Sequence, residues 1–162
     1  MSKKQKAVKT NAIRIVESNG IAYEEKTYDA SGGFVDGITA AAKTGTEPER
    51  CFKTLVLIGH SGENVVCVIP VAEELDLKKA AKVFHEKNVE MIHVRDITKT
   101  TGYIKGGCSP IGMKKLFPTA IDETALLFDR IAVSGGKIGL QIELDPNELA
   151  GLVNAVFADL TR

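Results

Sequence analysis

Two glycine-rich segments and one lysine are the parts of this sequence whose residue types could do chemistry. Residues 101–112 read TGYIKGGCSPIG, with four glycines and a proline, and residues 133–139 read VSGGKIG. Backbone N–H groups in such loops can approach a ligand closely, because glycine carries no side chain. Lys53 opens an apolar run, so its ammonium group must reach either water or a wet cavity. Taken singly, each feature is more typical of a structural turn or a solvated strand end.

Cys108, between Gly107 and Ser109, could act as a nucleophile if a base lay beside it. The candidate bases are His60, His85 and His93. No H-E-x-x-H or C-x-x-C spacing indicates a metal site. The G-x-x-x-x-G-K-[ST] order of a nucleotide loop and the G-x-S-x-G elbow of a serine hydrolase are both missing. The sequence therefore predicts no metal and no nucleotide cofactor, and it leaves a Cys108-dependent thiol hydrolase open.

Composition is that of an ordinary globular domain. The 162 residues are 44% apolar and 26% charged, and we expect residues 1–162 to form a single domain. The 21 Lys+Arg cancel the 21 Asp+Glu, which argues against binding long nucleic acid by charge alone but allows a local phosphate contact. Apolar runs reach only strand length, and the cationic N-terminus has no apolar stretch. Neither a membrane span nor a secretory signal is predicted.

Apolar periodicity and turn residues predict the elements that position these loops. Helices are expected over residues 6–19, near 38–43, from the Asp76 cap to Phe84, and from the Asp145 cap along a stripe that reaches Leu160. Strands are expected over residues 21–28, 53–59, 65–70, 91–94, 119–122, 130–134 and 139–144, with a hairpin joining the second and third. This order predicts a mixed α/β (α+β) domain with a largely antiparallel mixed sheet, or a barrel-like sheet, and surrounding helices.

Five segments of the chain share the order and spacing of one known family. They are FKTL at 52–55, PVA with LDLKK at 70–79, TGY at 101–103, GGCSPIG at 106–112 and VSGGK at 133–137. Together these segments resemble the YbaK/EbsC family of stand-alone aminoacyl-tRNA editing proteins, relatives of the editing insertion in prolyl-tRNA synthetase. Each segment is weak alone, whereas five in register over nearly the whole chain are specific.

The resemblance implies a cytoplasmic enzyme that acts without a cofactor. Its implied reaction is hydrolysis of the ester that joins cysteine, or a similarly small amino acid, to mischarged tRNA(Pro). The acceptor end of that tRNA is the implied substrate, and prolyl-tRNA synthetase is the implied protein partner to test. The resemblance implies no membrane association.

The resemblance also assigns roles to single residues. Lys53 would anchor the substrate, and Gly106 and Gly107 would open a G-x-x-x-P loop whose backbone donors face the ester carbonyl. The implied substrate-binding positions are Tyr28, Thr54, Ser109, Pro110, Ser134 and Gln141, with no metal ligand among them. The chain departs from the family at Gln141, where the related deacylases carry Asp, and this change bears on which amino acid is preferred.

The resemblance offers a reason why no nucleophile–base pair stands out. An aminoacyl ester is reactive, so orientation and oxyanion donors can be enough for catalysis. Cysteinyl deacylases resemble a case in which the substrate's own thiol attacks its carbonyl, and Cys108 then need not react. Two alternatives remain open: the Cys108-dependent thiol hydrolase and a non-catalytic module that binds tRNA or a synthetase.

Overall fold

The computed structural model describes residues 9–33 and 35–162. Over these residues the helices are α1 (Asn11–Ser18), α2 (Gly37–Thr44), α3 (Leu77–Val83), α4 (Ile97–Thr101) and α5 (Pro146–Val153). The strands are β1 (Tyr23–Thr27), β2 (Phe52–Gly59), β3 (Asn64–Pro70), β4 (Val89–Met91), β5 (Thr119–Asp122), β6 (Ile131–Lys137), β7 (Leu140–Leu144) and β8 (Val156–Ala158). None of the described helices combines the length and apolar character needed to cross a membrane.

The strands form two sheets. One has the order β1-β7-β6 and is antiparallel, and the other has the order β4-β2-β3-β5-β8. In the second sheet β4, β2 and β3 are antiparallel neighbours, whereas β3, β5 and β8 run parallel. The prediction of a mixed α/β domain with a largely antiparallel mixed sheet is confirmed. The described strands do not close into a barrel.

The larger sheet separates two apolar clusters, because successive side chains of a strand point to opposite faces. Val56, Val66 and Val68 face the cluster that contains α1, α5 and the smaller sheet. Leu57 and its neighbours on the other face pack against α3. The helices are held at their ends by the predicted caps: Asp76 Oδ1 accepts the Lys78 and Lys79 N–H groups, and Asp145 Oδ1 accepts the Asn147 N–H.

Three predicted elements differ from the structure. The N-cap of α1 is Thr10, whose hydroxyl accepts the Ile13 N–H, and the predicted helical residues 6–8 lie outside the described residues. The predicted strand at 91–94 is wrong in its bounds, since β4 ends at Met91 and residues 94–96 form a 3-10 turn.

The last predicted helix ends early. α5 ends at Val153. The next residue, Asn154, has the left-handed angles φ 54° and ψ 45°, and the chain continues as β8 alongside β5. Asp122 Oδ1 accepts the Leu160 N–H at 2.9 Å, which fixes this segment against β5. The apolar stripe to Leu160 was therefore wrong as a helix: Leu160 is buried from an extended segment.

The edge of β2 that faces away from β3 is covered at its two ends by different strands. Cys51, just before β2, bridges Ala132 of β6, and β4 pairs with residues 57–59. Ile92, just after β4, donates its N–H to Val56 O at 3.2 Å. Residues 53–55 lie between these two partners, so the edge is open where the family-like segment FKTL lies.

Candidate functional site

A cavity of about 690 Å³ opens at this gap in the β2 edge. Its volume is within the range of about 300–1,000 Å³ that small-molecule sites occupy. The walls come from β2, α2, the segment after β4, the glycine loop at 104–108 and the β6–β7 pair. Six of the residues predicted from the sequence line it: Tyr28, Lys53, Thr54, Gly106, Ser134 and Gln141.

Lys53 and Thr54 reach the cavity from opposite faces of β2. Thr54 shares a face with Phe52 and Val56, whereas Lys53 shares a face with Leu55. The Lys53 side chain is half-buried, and no carboxylate within residues 9–33 and 35–162 forms an ion pair with it. Its ammonium group is thus available to an anionic or polar ligand in the cavity.

Thr54 contributes both its side chain and its backbone to the gap. Because hydrogen-bonding direction alternates along a strand, Thr54 N–H and C=O point to the same edge as Val56 O. Thr54 Oγ1 is also the one buried side-chain polar atom of the described residues that has no hydrogen-bond partner. A buried orphan of this kind costs free energy. Because Thr54 lines the cavity, we expect a bound ligand to supply the partner.

We expect Thr54→Val to lower kcat/KM for a substrate that binds in the cavity by roughly 2- to 13-fold. This is the effect of losing one neutral hydrogen bond, which is worth about 0.5–1.5 kcal/mol. The free energy of unfolding of the free protein should stay the same or rise, because the substitution removes an unsatisfied hydroxyl. Steady-state kinetics and urea unfolding measure the two effects.

Thr46→Val is the matched control for this experiment. Thr46 is buried, and in contrast to Thr54 its hydroxyl has partners: it lies 3.0 Å from Thr44 Oγ1 and 3.5 Å from Glu143 Oε2. That variant should lose stability. If Thr54→Val instead unfolds as easily as Thr46→Val and keeps full activity, the Thr54 hydroxyl serves the fold and not the ligand.

The glycine loop presents two backbone donors at the cavity. Gly106 and Cys108 both line it, and no acceptor in the described part of the chain receives either N–H. Gly106 has a φ of +85°, a conformation that L side chains rarely adopt, so glycine is required there. These two N–H groups are the candidate oxyanion donors.

Gly107, which was predicted to face the ester, lies on the other side of the loop from the cavity. Its N–H donates to Ile104 O at 3.0 Å, so it is already used within the loop. A Cβ on Gly107 would lie 2.8 Å from Lys137 Cα and 2.8 Å from Ile138 N. Gly107 therefore lets the loop pack directly against the β6–β7 turn, and it does not line the cavity.

Ser109 and Pro110, predicted as substrate-binding, are both buried and do not line the cavity. Ser109 Oγ accepts the Ile111 N–H at 3.2 Å, and the Tyr103 hydroxyl donates to Ile111 O at 2.6 Å. Burial raises the pKa of Tyr103 to about 12, so the phenol stays protonated as a donor. These residues hold the shape of the loop that carries Gly106 and Cys108.

Cys108 is half-buried and lines the cavity, but it has the environment of a poor nucleophile. Burial raises the pKa of its thiol to about 11. Its Sγ lies 4.0 Å from Ser109 O, and no histidine of the described chain is hydrogen-bonded to it. Reactive cysteines have lowered pKa values and a nearby cation or base. The geometry thus favours a thiol that packs against the ligand and stays protonated.

Gln141 forms part of the floor of the cavity and is nearly buried. Its Nε2 donates to Cys51 Sγ at 3.3 Å, and its Oε1 accepts from Thr44 Oγ1 at 3.5 Å. Burial raises the pKa of the Cys51 thiol, which keeps that sulfur uncharged beneath the floor. Both ends of the amide are therefore used to fix its orientation.

A buried carboxylate two residues further along β7 gives a physical reason for the amide at 141. Glu143 lies on the same face of the strand, with Lys26 Nζ at 3.0 Å and Arg50 Nη1 at 3.7 Å. An Asp at 141 would place a second negative charge next to it in a poorly solvated floor, where like charges repel strongly. Glutamine keeps the polar floor without that charge.

Tyr28 and Ser134 complete the polar wall. Tyr28 N–H donates to Gly139 O at 2.9 Å, which ties the segment after β1 to the β6–β7 turn. Ser134 Oγ accepts the Gly136 N–H at 3.2 Å. Both residues are half-buried, with part of each facing the cavity.

The sequence analysis missed the apolar rim of the cavity. Ile38, Met91 and Val94 line it and are 53%, 49% and 57% exposed. Neighbouring apolar residues left exposed are a mark of a binding surface. No periodicity identifies them, because they come from α2, from the end of β4 and from a 3-10 turn. Among the described His, Cys, Asp and Glu residues, no group of three or more could hold a metal ion.

Comparisons with known proteins identify the family of this chain. The model of the aminoacyl-tRNA editing domain matches residues 36–152. An Enterococcus faecalis (strain ATCC 700802 / V583) protein, "Putative Cys-tRNA(Pro)/Cys-tRNA(Cys) deacylase EbsC", is 48% identical over 161 residues, covering 99% of this chain and 98% of that protein.

Solved structures show the same fold. A structure described as "a putative trans-editing enzyme for prolyl tRNA synthetase" superposes with a TM-score of 0.83 at 25% identity, over 96% of this chain and 99% of that one. The hypothetical protein APE2540 has the same fold, with a TM-score of 0.84 at 21% identity, over 94% and 99%. The family model and the near full-length relative together show that this chain belongs to the aminoacyl-tRNA editing domain family, whose members hydrolyse mischarged aminoacyl-tRNA.

Proposed function

We propose that the chain hydrolyses the ester between cysteine and tRNA(Pro), acting in trans on the mischarged tRNA. The observation that carries this proposal is the 48% identity, over nearly the full length of both chains, to a protein named for Cys-tRNA(Pro) and Cys-tRNA(Cys) deacylation. Residues 1–162 would act as one editing domain, in the cytoplasm, where tRNA is charged.

The proposed roles follow from the groups that the cavity offers. The Lys53 ammonium group binds a phosphate or ribose oxygen of the terminal nucleotide. The Thr54 hydroxyl, which has no partner in the free protein, forms a hydrogen bond to the same substrate. The N–H groups of Gly106 and Cys108 receive the ester carbonyl oxygen as it gains negative charge. Tyr28, Ser134 and Gln141 form the polar wall and floor around the amino acid.

Attack by the substrate's own thiol accounts for the chemistry without a protein nucleophile. The cysteine sulfur forms a bond to the ester carbonyl carbon, and the bond from that carbon to the ribose oxygen breaks. The proton of the thiol ends on the ribose oxygen, which leaves as the free 3′ end. Water then opens the resulting thiolactone to cysteine. Holding sulfur and carbonyl in contact can supply several kcal/mol of the barrier.

A separate step that removes a wrongly attached amino acid is useful, because the pocket of a synthetase discriminates poorly between amino acids of similar size. One missing methylene is worth only about 1–3 kcal/mol of selectivity. A reaction that requires a thiol on the amino acid discriminates by chemistry, since proline carries none. Prolyl-tRNA synthetase is the proposed partner that would deliver the mischarged tRNA.

The test is deacylation of a panel of tRNAs by the purified protein. Cys-tRNA(Pro) and Cys-tRNA(Cys) should lose their amino acid far faster than the uncatalysed controls, with no change when a chelator is added. If every mischarged tRNA decays at its uncatalysed rate while the protein still binds tRNA, the non-catalytic binding module replaces the enzyme.

A further inference from the structure

The stretch of chain that carries the glycine loop has only positively charged residues among its charged ones, although the total charge of the protein is zero. Residues 97–121 contain four lysines and neither Asp nor Glu. The lysines are Lys99, Lys105, Lys114 and Lys115, and all four are exposed. Charge is thus separated along the chain, which the neutral total conceals.

The fold brings a fifth lysine next to the glycine loop, and one of the five lysines lines the cavity. Lys105 lines the cavity, and Lys114 packs against Gly102 with its Nζ at 3.2 Å from Lys99 O. Gly107 brings the loop into contact with the backbone of Lys137, at the β6–β7 turn. We call the surface formed by Lys99, Lys105, Lys114, Lys115 and Lys137 the lysine face.

Most of this positive charge is not neutralised by the protein. Lys99 pairs with Asp96 at 3.0 Å, but no carboxylate in residues 9–33 or 35–162 is in ion-pair distance of Lys114, Lys115 or Lys137. Several like charges on one surface, next to a cavity, attract a polyanion.

We propose that the lysine face binds the phosphate backbone of the tRNA acceptor stem while the 3′ end occupies the cavity. This inference rests on the proposed function, because it assigns the stem of the same substrate. The stem is the duplex that continues directly from the single-stranded 3′ end, so it must lie next to the cavity mouth. Lysine contacts to phosphate carry no sequence information, and they release counterions when they form.

The experiment compares a full tRNA with a short substrate that has no stem. The triple variant Lys114→Gln/Lys115→Gln/Lys137→Gln should raise KM for Cys-tRNA(Pro) by tenfold or more at low salt. It should leave kcat/KM for cysteinyl-adenosine, the ester on a single nucleoside, unchanged. The slope of log(kcat/KM) against log[NaCl] for the tRNA should become shallower by roughly 2 to 3, since each of the three phosphate contacts contributes about 0.7–0.9.

The control is Lys78→Gln/Lys82→Gln/Lys87→Gln, which removes three exposed lysines on α3 and the turn after it, none of them lining the cavity. Equal losses from both triple variants, or an equal loss on cysteinyl-adenosine, would overturn the lysine face as a stem site. Filter binding of uncharged tRNA(Pro) separates this inference from the proposed function. If no ester is cleaved, weaker binding by the first variant alone still supports it, and unchanged binding contradicts it.

Discussion

Lys53→Ala is expected to reduce kcat/KM for Cys-tRNA(Pro) by roughly ten- to hundredfold while the protein stays folded. A charge-assisted hydrogen bond is worth about 1.5–3 kcal/mol, and each 1.4 kcal/mol is a factor of ten. The fold should tolerate the change because Lys53 has no ion-pair partner in the described structure and is the second residue of β2, next to the open part of its edge. Initial deacylation rates and urea unfolding test both parts.

Lys78→Ala is the matched control for Lys53. The neighbouring Lys79 is unsuitable, because its Nζ lies 2.9 Å from Asp159 Oδ2 and 2.6 Å from Thr161 O and so ties α3 to the C-terminal segment. Those contacts with Asp159 raise the pKa of Lys79. Equal activity of Lys53→Ala and the unsubstituted protein would make Lys53 an ordinary strand-end charge and remove the substrate anchor from the account.

The second large effect on the rate is expected when the amino acid of the substrate is changed, and not when Cys108 is substituted. Ser-tRNA(Pro) is a near isostere of Cys-tRNA(Pro) with a poorer nucleophile, so its hydrolysis should be slower by two orders of magnitude or more. Cys108→Ala should keep most of the activity, because the N–H groups of Gly106 and Cys108 survive loss of the thiol. Four initial rates, two substrates with two proteins, measure both effects.

Alkylation of Cys108 is an independent test of whether its thiol takes part in the reaction. With a pKa of about 11, only roughly 0.1% of this thiol is thiolate at pH 8, so iodoacetamide should modify it slowly and leave activity largely intact. Loss of activity in Cys108→Ala, together with equal cleavage of serine and cysteine esters, would establish the Cys108-dependent thiol hydrolase instead.

The helix caps and the β2–β3 hairpin could be predicted because their signals are local. Asp76 and Asp145 cap the predicted helices, and the hairpin of β2 and β3 has the expected pairing. The end of α5 could not be predicted in this way. Leu149 to Leu160 keep helical spacing, but pairing of β8 with β5 and the Asp122 contact outweigh that local preference.

The candidate site was predictable in its residue types but not in its arrangement. Lys53 and Thr54 are adjacent in sequence, but their shared cavity exists only because β4 and β6 cover different ends of the β2 edge. The loop at 106–110 seemed one functional unit, whereas the structure divides it. Gly106 and Cys108 line the cavity, and Gly107, Ser109 and Pro110 support the loop from behind.

The most direct test of the central claim is a competition in one reaction. Purified protein is added to a mixture of tRNA(Pro) charged with cysteine and tRNA(Pro) charged with proline, and the two esters are followed by separate radiolabels. The proposed site predicts that the cysteine ester disappears many times faster than without protein, while the proline ester decays at its uncatalysed rate. Survival of the cysteine ester, or loss of both esters at one rate, would contradict the assignment of this cavity as a cysteine-specific editing site.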